Sequence, residues 1–387
     1  MRVVEVGCGV CGLVCAEHLA RNPKVDELVL ADANPKGAEE LKIRTGEARV
    51  SVERVNGTDR SALKRLLKGA DLVLATMPWR LNIIPLEVAI EVGTNYLDFG
   101  MPMDSTGPEF DRLSNECADA GIAAMVGMGE EPGMSDVFAK HASNLLDRAD
   151  EANVYDGDTG SVEGLKFFSL WSPVDLLDET SVPAAVFKNG KIEFIPPLSS
   201  KQVFEFPSPL GRLTVYKTNH DETYFMPMGI KSLKNASFNI CIDDFFADVS
   251  KTLLPLGMLN KEPIDVKGVK VKPQDVVAAM MPNPGDFSDK VKGDSGFVVE
   301  VLGVKDGKRT KVRMWTIMSH RKAYEKNRTN AGSYYVGTGG AVASEMFIDG
   351  EVKDKGFVIP EQLPAGSFLE RLKRKGVEFH VEILPFR

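Results

Sequence analysis

Residues 6–20 read V-G-C-G-V-C-G-L-V-C-A-E-H-L-A, and two chemistries compete for them. Cys8, Cys11, Cys15 and His18 spell C-x2-C-x3-C-x2-H, a spacing able to set three thiolates and an imidazole around a tetrahedral zinc ion. Gly7, Gly9 and Gly12 spell G-x-G-x-x-G behind a hydrophobic run, which suits a pyrophosphate instead. The first glycine permits a tight turn, the second lets backbone approach the phosphates, and the third lets a helix meet a sheet closely. Asp32 supports this second chemistry: it stands twenty residues past Gly12, at the end of E-L-V-L-A, where a carboxylate accepts hydrogen bonds from the adenosine ribose. Zinc has no such support. Cys8 would lie inside the phosphate loop, and the other ligands would have to converge from a helix whose start faces the nucleotide. The expectation is a bound dinucleotide and no metal, with the cysteines as small packers at a helix–sheet contact. The charge of Asp32 disfavours a 2′-phosphate, so NAD is expected, with NADP as the alternative. Lys36 and Arg44 are too distant in sequence to be given a phosphate.

The elements that must position this loop follow from periodicity. V-V-E-V, E-L-V-L-A-D, A-D-L-V-L-A-T, N-Y-L-D-F and I-A-A-M-V are short apolar runs separated by amphipathic stretches such as S-A-L-K-R-L-L-K. That alternation predicts an α/β fold, a Rossmann-type doubly wound parallel sheet, over residues 1–130. From Glu151 the texture changes to longer alternating strands, with Asn189-Gly190 and Asp306-Gly307 suited to tight hairpin turns. A second α+β domain with a largely antiparallel mixed sheet is therefore expected over 131–336, with helices near 244–257 and 273–281. A C-terminal segment, 337–387, is helical again and expected to return to the first domain. In it Ser367 and Glu370 form a capping box and Gly376 a stop.

Composition sets outer bounds. The 387 residues carry a formal net charge of −8 over mixed-sign segments, which offers no basic stripe for nucleic acid or an anionic membrane. No apolar run approaches membrane-spanning length, and five cysteines make a poor disulfide framework, so a cytoplasmic setting is expected.

In an open parallel sheet the ligand lies beyond the carboxyl ends of the strands. The loops 76–82 (T-M-P-W-R-L-N) and 98–102 (D-F-G-M-P) should frame the nicotinamide. The expected coenzyme contacts are Gly7, Gly9, Val10, Cys11, Gly12, Asp32, Ala33, Asn56, Thr76, Met77, Pro78 and Asp98. A third loop, G-M-G-E-E-P-G-M-S-D, leads into a helix expected to be capped by Ser135.

These segments together resemble the saccharopine dehydrogenase-like oxidoreductases. The resemblance rests on G-C-G-V-C-G, A-T-M-P-W, T-N-Y-L-D-F and G-E-E-P-G-M-S-D in the first domain. In the second it rests on L-K-F-F-S-L-W-S-P-V-D-L-L-D-E-T, V-P-A-A-V-F-K-N-G-K and P-P-L-S, which resemble the lysine dehydrogenase branch especially, and it covers nearly the whole chain. It implies a substrate and dimerisation domain, a homodimer, and oxidation of a carbon–nitrogen bond of a small amino acid or amine by NAD(P). The side-chain amine of lysine is the nearest analogy, with saccharopine turnover and a carboxynorspermidine-type imine reduction as alternatives. A catalytically silent dinucleotide-binding protein is the reading from another class. Relatives often carry arginine after W-S-P where this chain has Val174, and Glu130 and Glu131 are unusually acidic, which suits a cationic amine better than a polyanion.

Amine oxidation needs a base, because an ammonium has no lone pair with which to form the iminium. His220 is favoured for its near-neutral pKa, with Asp98, Glu130 and Glu131 as the other candidates. Arg80, Arg313 or Lys166 would meet the substrate carboxylate, and Trp171 and Ser172 would line the substrate side.

Overall fold

A computed structural model describes residues 1–101 and 103–386. The apolar run V-V-E-V forms β1 (Arg2–Val6), and the glycine loop hands over to α1 (Val10–Ala20). The alternation continues through β2 (Glu27–Asp32), α2 (Lys36–Thr45), β3 (Val50–Arg54), α3 (Arg60–Leu67), β4 (Leu72–Ala75), α4 (Ile83–Val92), β5 (Asn95–Asp98), α5 (Pro108–Asp119), β6 (Ala123–Met125) and α6 (Met134–Ser143).

Longer strands follow. The chain runs through β7 (Arg148–Asp158), α7 (Pro173–Ser181), β8 (Ala184–Lys188), β9 (Lys191–Ile195), β10 (Gln202–Glu205), β11 (Arg212–Lys217), α8 (Glu222–Gly229), β12 (Asn235–Cys241) and α9 (Asp244–Leu253). It continues with β13 (Ile264–Val266), β14 (Val269–Val271), α10 (Pro273–Met280), β15 (Asp294–Lys305), β16 (Lys308–Ser319), α11 (His320–Asn327), α12 (Ala331–Ile348), β17 (Gly356–Val358), α13 (Ala365–Arg374) and β18 (His380–Pro385).

The chain divides into two compact units, residues 1–141 with 333–378, and 142–332 with 379–387. In the first, seven parallel strands lie in the order β17-β6-β5-β4-β1-β2-β3. The order reverses at β1, which is the doubly wound arrangement and places a crevice at the carboxyl ends of β1 and β4. Its strands are apolar and buried, as a sheet flanked on both faces requires.

The second unit is built on a nine-stranded sheet, β10-β11-β12-β7-β15-β16-β18, with β8 on β12 and β9 on β8. β7 and β12 run parallel and the other pairs antiparallel, so the sheet is mixed and largely antiparallel. Its hairpins turn at Asn189-Gly190 and Asp306-Gly307, all four residues with positive φ, as primed turns demand. Lys267-Gly268 makes a third such turn, between β13 and β14.

Local departures have identifiable causes. The unit borders fall at 141/142 and 332/333 where sequence texture put them at 130/131 and 336/337. Residues 380–385 pair with β16 rather than joining the first sheet. Ser367 does not cap α13: Pro364 holds the N-cap and the helix starts earlier, leaving Ser367 inside it to accept a hydrogen bond from Arg371. Ser135 likewise lies within α6. Asp136 performs the capping, its carboxylate accepting from the N–H of Gly133, whose φ of 127° only glycine adopts easily. Among the described residues no helix is long and apolar enough to cross a membrane.

Candidate functional site

The glycine loop adopts the geometry its spacing requires. Gly7 has φ +100° and donates its N–H to the Ala31 carbonyl at 2.8 Å. A Cβ at Gly7 would stand 2.8 Å from the Met77 backbone nitrogen, so a side chain there is excluded twice over. Gly9 is the extended N-cap of α1 and offers no side-chain cap to the helix's first N–H groups. No protein atom lies within 4 Å of a Cβ built on Gly9. The second glycine thus faces a space bounded by a helix start, where phosphate oxygens are favoured. At Gly12 a Cβ would sit 2.6 Å from the Glu5 and Thr76 side chains and 2.7 Å from the Gly7 carbonyl, so the third glycine is the helix–sheet contact. On these observations the residues present fit a dinucleotide.

The surrounding residues converge on the same loop. Asp32 accepts from the Cys8 N–H at 2.6 Å and, through its other oxygen, from the Asn34 N–H at 2.7 Å, tying the loop to the β2–α2 turn. The Thr76 hydroxyl donates to the Gly7 carbonyl. Met77 packs against Gly7 and Gly57, and the Asn56 side chain closes the turn after β3 by accepting from Thr58. Pro78 precedes a single 3-10 turn, Trp79–Leu81, on which the Arg80 guanidinium lies 4.1 Å from the Trp79 ring centre. Of the expected loop 98–102, Pro102 lies outside the described residues.

Burial pushes the thiols of Cys8, Cys11 and Cys15 upward, Cys11 to about 11, and holds them neutral at physiological pH. Cys11 and Cys15 meet α12 instead. Gly337 and Gly339 present bare backbone, so that Cβ atoms there would fall 2.3 Å from the carbonyls of Cys11 and Gly129 respectively. The V-G-T-G-G segment is therefore a close-packing face. Among the described residues no cluster of three or more His, Cys, Asp or Glu side chains is arranged for a metal ion.

Asp98 departs from its expected role. It is fully buried, one oxygen accepting from the Gly127 N–H at 2.7 Å and the other from the Tyr96 hydroxyl at 2.8 Å. It fixes the loop after β6 to the end of β5, each of its oxygens held by one of these donors. Glu130 is also buried, close enough to Cys11 for its charge to help raise that thiol. Its own carbonyl accepts from the Ser135 N–H at the start of α6.

A second cluster stands on one face of the second unit's sheet. The period of two in β7 puts Asp156 and Asp158 on the same face, and pairing of Val154 with Phe238 sets that ring beside them. α7 contributes Glu179, the segment between β11 and α8 contributes His220, and the first residue of α8 is Glu222. The His220 ring stacks on Phe238 with centroids 4.0 Å apart; Nδ1 bonds to Glu222 and Nε2 stands 4.0 Å from Glu179. Burial pulls the imidazole pKa down, but the Glu222 charge and hydrogen bond, followed by Glu179, outweigh it and carry the value to about 10. His220 is consequently an imidazolium at neutral pH and cannot be the ready base its ordinary pKa suggested. Burial pushes the Glu179 carboxyl up, and Asp156 rises well above its ordinary value through burial and then the neighbouring Asp158 charge.

His320, which sequence alone did not single out, belongs here. It is fully buried, accepts the Ala331 N–H at Nδ1 (3.2 Å), and so directs a protonated Nε2 to Asp158 at 3.3 Å.

Four expected substrate residues are placed otherwise. Arg313 pairs with Glu300 in register while Asp156 pairs with Phe297, an odd offset along β15, so Arg313 projects from the opposite sheet face. There it stands 3.4 Å from Glu300 and donates to the Glu205 carbonyl at 2.6 Å. Ser172 caps α7, accepting from the Asp175 N–H, and Trp171 packs on the Val162, Leu170, Phe287 and Val291 core. Lys166 is solvent-exposed.

Comparison with known proteins agrees with this architecture. Residues 3–125 match the saccharopine dehydrogenase NADP binding domain and residues 129–377 the saccharopine dehydrogenase C-terminal domain. The carboxynorspermidine synthase of Vibrio alginolyticus is 28% identical, covering 99% of this chain and 97% of its own length. The carboxyaminopropylagmatine dehydrogenase of Synechocystis is 24% identical, covering 98% and 97%. These relatives are named for carboxylated polyamines, whereas the sequence resemblance pointed to lysine. Among solved structures, apo saccharopine dehydrogenase (L-Glu forming) from Saccharomyces cerevisiae shares the fold, with TM-score 0.75 and 18% identity over 99% of both chains. The homospermidine synthase of Legionella pneumophila, solved with NAD, gives 0.69 and 14% over 98% of this chain and 91% of its own. The chain belongs to the saccharopine dehydrogenase family of NAD(P)-dependent oxidoreductases.

Proposed function

We propose that the protein exchanges hydride between NAD(P) and the carbon–nitrogen bond of a cationic, amine-rich amino acid, most naturally reducing the imine of a diamine and an aldehyde-bearing amino acid. The observation that carries this reading is the pairing of Glu222 and Glu179 with His220 on the sheet face that also carries Asp156 and Asp158, the last of these beside His320. Four acidic side chains crowded on one face suit an ammonium, whose arrival favours their charged forms. The full-length relatives named for carboxynorspermidine and carboxyaminopropylagmatine support the same substrate class.

When bound, the coenzyme supplies or accepts the hydride. The chain's own residues then do three things. The glycine loop and the α1 start hold the diphosphate, while Asp32 and the β2–α2 turn meet the adenosine ribose. Burial raises the carboxyls of Glu179 and Asp156, so an ammonium placed beside them would favour their charged forms and release protons to solvent as it binds. An Asp156 oxygen is the group suited to exchange a proton at the substrate nitrogen, since burial and the neighbouring Asp158 charge raise its affinity for a proton above that of an ordinary carboxylate.

The test is a panel. The purified protein is mixed with NADPH or NADH, an amino-acid semialdehyde and a series of diamines, and separately with NAD(P)+ and lysine, while the reduced nicotinamide is followed. Turnover with a diamine is expected, and Asp156→Asn and Glu179→Gln should each raise the KM for that diamine roughly tenfold. Turnover of lysine alone would replace this reading, and silence throughout would favour a binding protein.

A further inference from the structure

Asp32 alone argues against a 2′-phosphate, yet the structure places a cation beside it that sequence spacing did not reveal. Arg54 ends β3 in direct register with Asp32 on β2, although the two stand twenty-two positions apart in the chain. Its Nε donates to the Ala33 carbonyl at 3.1 Å, which lays the guanidinium against the β2–α2 turn. The carboxylate at the end of the second strand is the group that meets the adenosine ribose, so this turn is where a 2′ substituent stands.

The local charges favour Arg54 for that task. Both Asp32 oxygens are already taken by main-chain donors, the N–H groups of Cys8 and Asn34, which offset part of its negative charge. In α2, whose last turn holds Lys42 and Arg44, Arg44 is committed to Glu17 at 2.7 Å, and Lys36 stands 3.9 Å from Glu40. Arg54 is exposed and, among the described residues, forms no ion pair, its one hydrogen bond using Nε and leaving both Nη groups available to a ligand. A planar fork with two available donors matches a phosphate's oxygens.

We propose that Arg54 anchors the 2′-phosphate of NADP(H), so that the protein accepts the phosphorylated coenzyme despite Asp32. The inference rests on the first unit's reading as a dinucleotide domain and is independent of the substrate. It is tested by binding, not turnover: calorimetric titration of the full chain with NADPH, NADH, 2′,5′-ADP and 5′-ADP, for the wild type, Arg54→Ala and Arg54→Lys.

Arg54→Ala should weaken NADPH and 2′,5′-ADP roughly ten- to hundredfold, the worth of a charged bidentate contact. NADH and 5′-ADP should stay within about threefold, as expected for removal of an exposed charge. Arg54→Lys should fall between, and added salt should weaken NADPH more than NADH. Equal losses for NADPH and NADH would overturn the proposal by showing that Arg54 serves the adenine instead. An unchanged NADPH affinity would overturn it as well. Failure of the wild type to bind either coenzyme would overturn the coenzyme reading itself.

Discussion

His220 shows how a side chain's chemistry is decided by residues its own neighbourhood in sequence only half reveals. Glu222, two positions on, is visible in T-N-H-D-E-T, but Glu179 comes from α7 and Phe238 from β12. Because its folded pKa of about 10 exceeds the ordinary 6.5, the His220–Glu222 pair stabilises the fold fully below about pH 6.5 and loses that contribution as pH rises through 10. The melting temperature of Glu222→Gln should therefore trail the wild type at pH 6 to 8 and converge with it near pH 10 to 11; a gap that widens with pH would contradict this. Asp98 is the opposite case, a carboxylate expected to do chemistry that instead holds two donors. Asp98→Ala strands the Gly127 N–H and the Tyr96 hydroxyl, both buried, and should cost about 3 kcal/mol in denaturant unfolding. The raised thiols of Cys8, Cys11, Cys15, Cys117 and Cys241 should react slowly with a disulfide reagent at neutral pH and fully once the chain is unfolded.

The elements divide cleanly into what neighbours in sequence determine and what only distant pairing determines. The strand–loop–helix around Gly7, Gly9 and Gly12 is legible because each glycine answers a demand within a few residues: a positive φ, an open helix start, a close contact. The primed hairpin turns and the helices at 244–253 and 273–280 are local in the same sense. Arg313 was misplaced because its face depends on the count of strand residues between it and Asp156, a parity fixed only once β15 is registered against both β7 and β16. Ser135 and Ser367, expected as caps, lie inside their helices because Gly133 and Pro364 set the two starts, whereas Ser172, expected beside the substrate, caps α7. The glycines give a test that separates fold from ligand. Gly9→Ala meets open space at an ordinary φ, so melting should change little while coenzyme affinity falls about tenfold or more, the methyl occupying room meant for phosphate. Gly12→Ala collides with Glu5, Thr76 and Gly7, and should lower stability by about 2 kcal/mol along with binding.

At the scale of the whole molecule, each unit is assembled from two separate stretches of chain. The glycine loop, Asp32 and Arg54 all belong to the first unit. At a hundred times its Kd, a ligand adds about 2.7 kcal/mol to the state that binds it. Scanning calorimetry with NAD(P)H should raise the transition of the first unit, and a chain carrying Gly9→Ala should show a smaller rise at equal ligand. Sequence texture found both units because their sheets have different periodicities. It misjudged the last strand because β18 follows α13 of the first unit yet pairs with β16 of the second. Vectorial synthesis meets the same interleaving in time. β6 leaves the ribosome with one edge bare and stays so until residues 356–358 arrive as β17, more than two hundred residues later, while the second unit's β16 waits for residues 380–385. A nascent chain thus carries one unsatisfied strand edge through most of its translation and a second near its end, and its yield in cells should depend on holding chaperones more than on the stability of the finished fold.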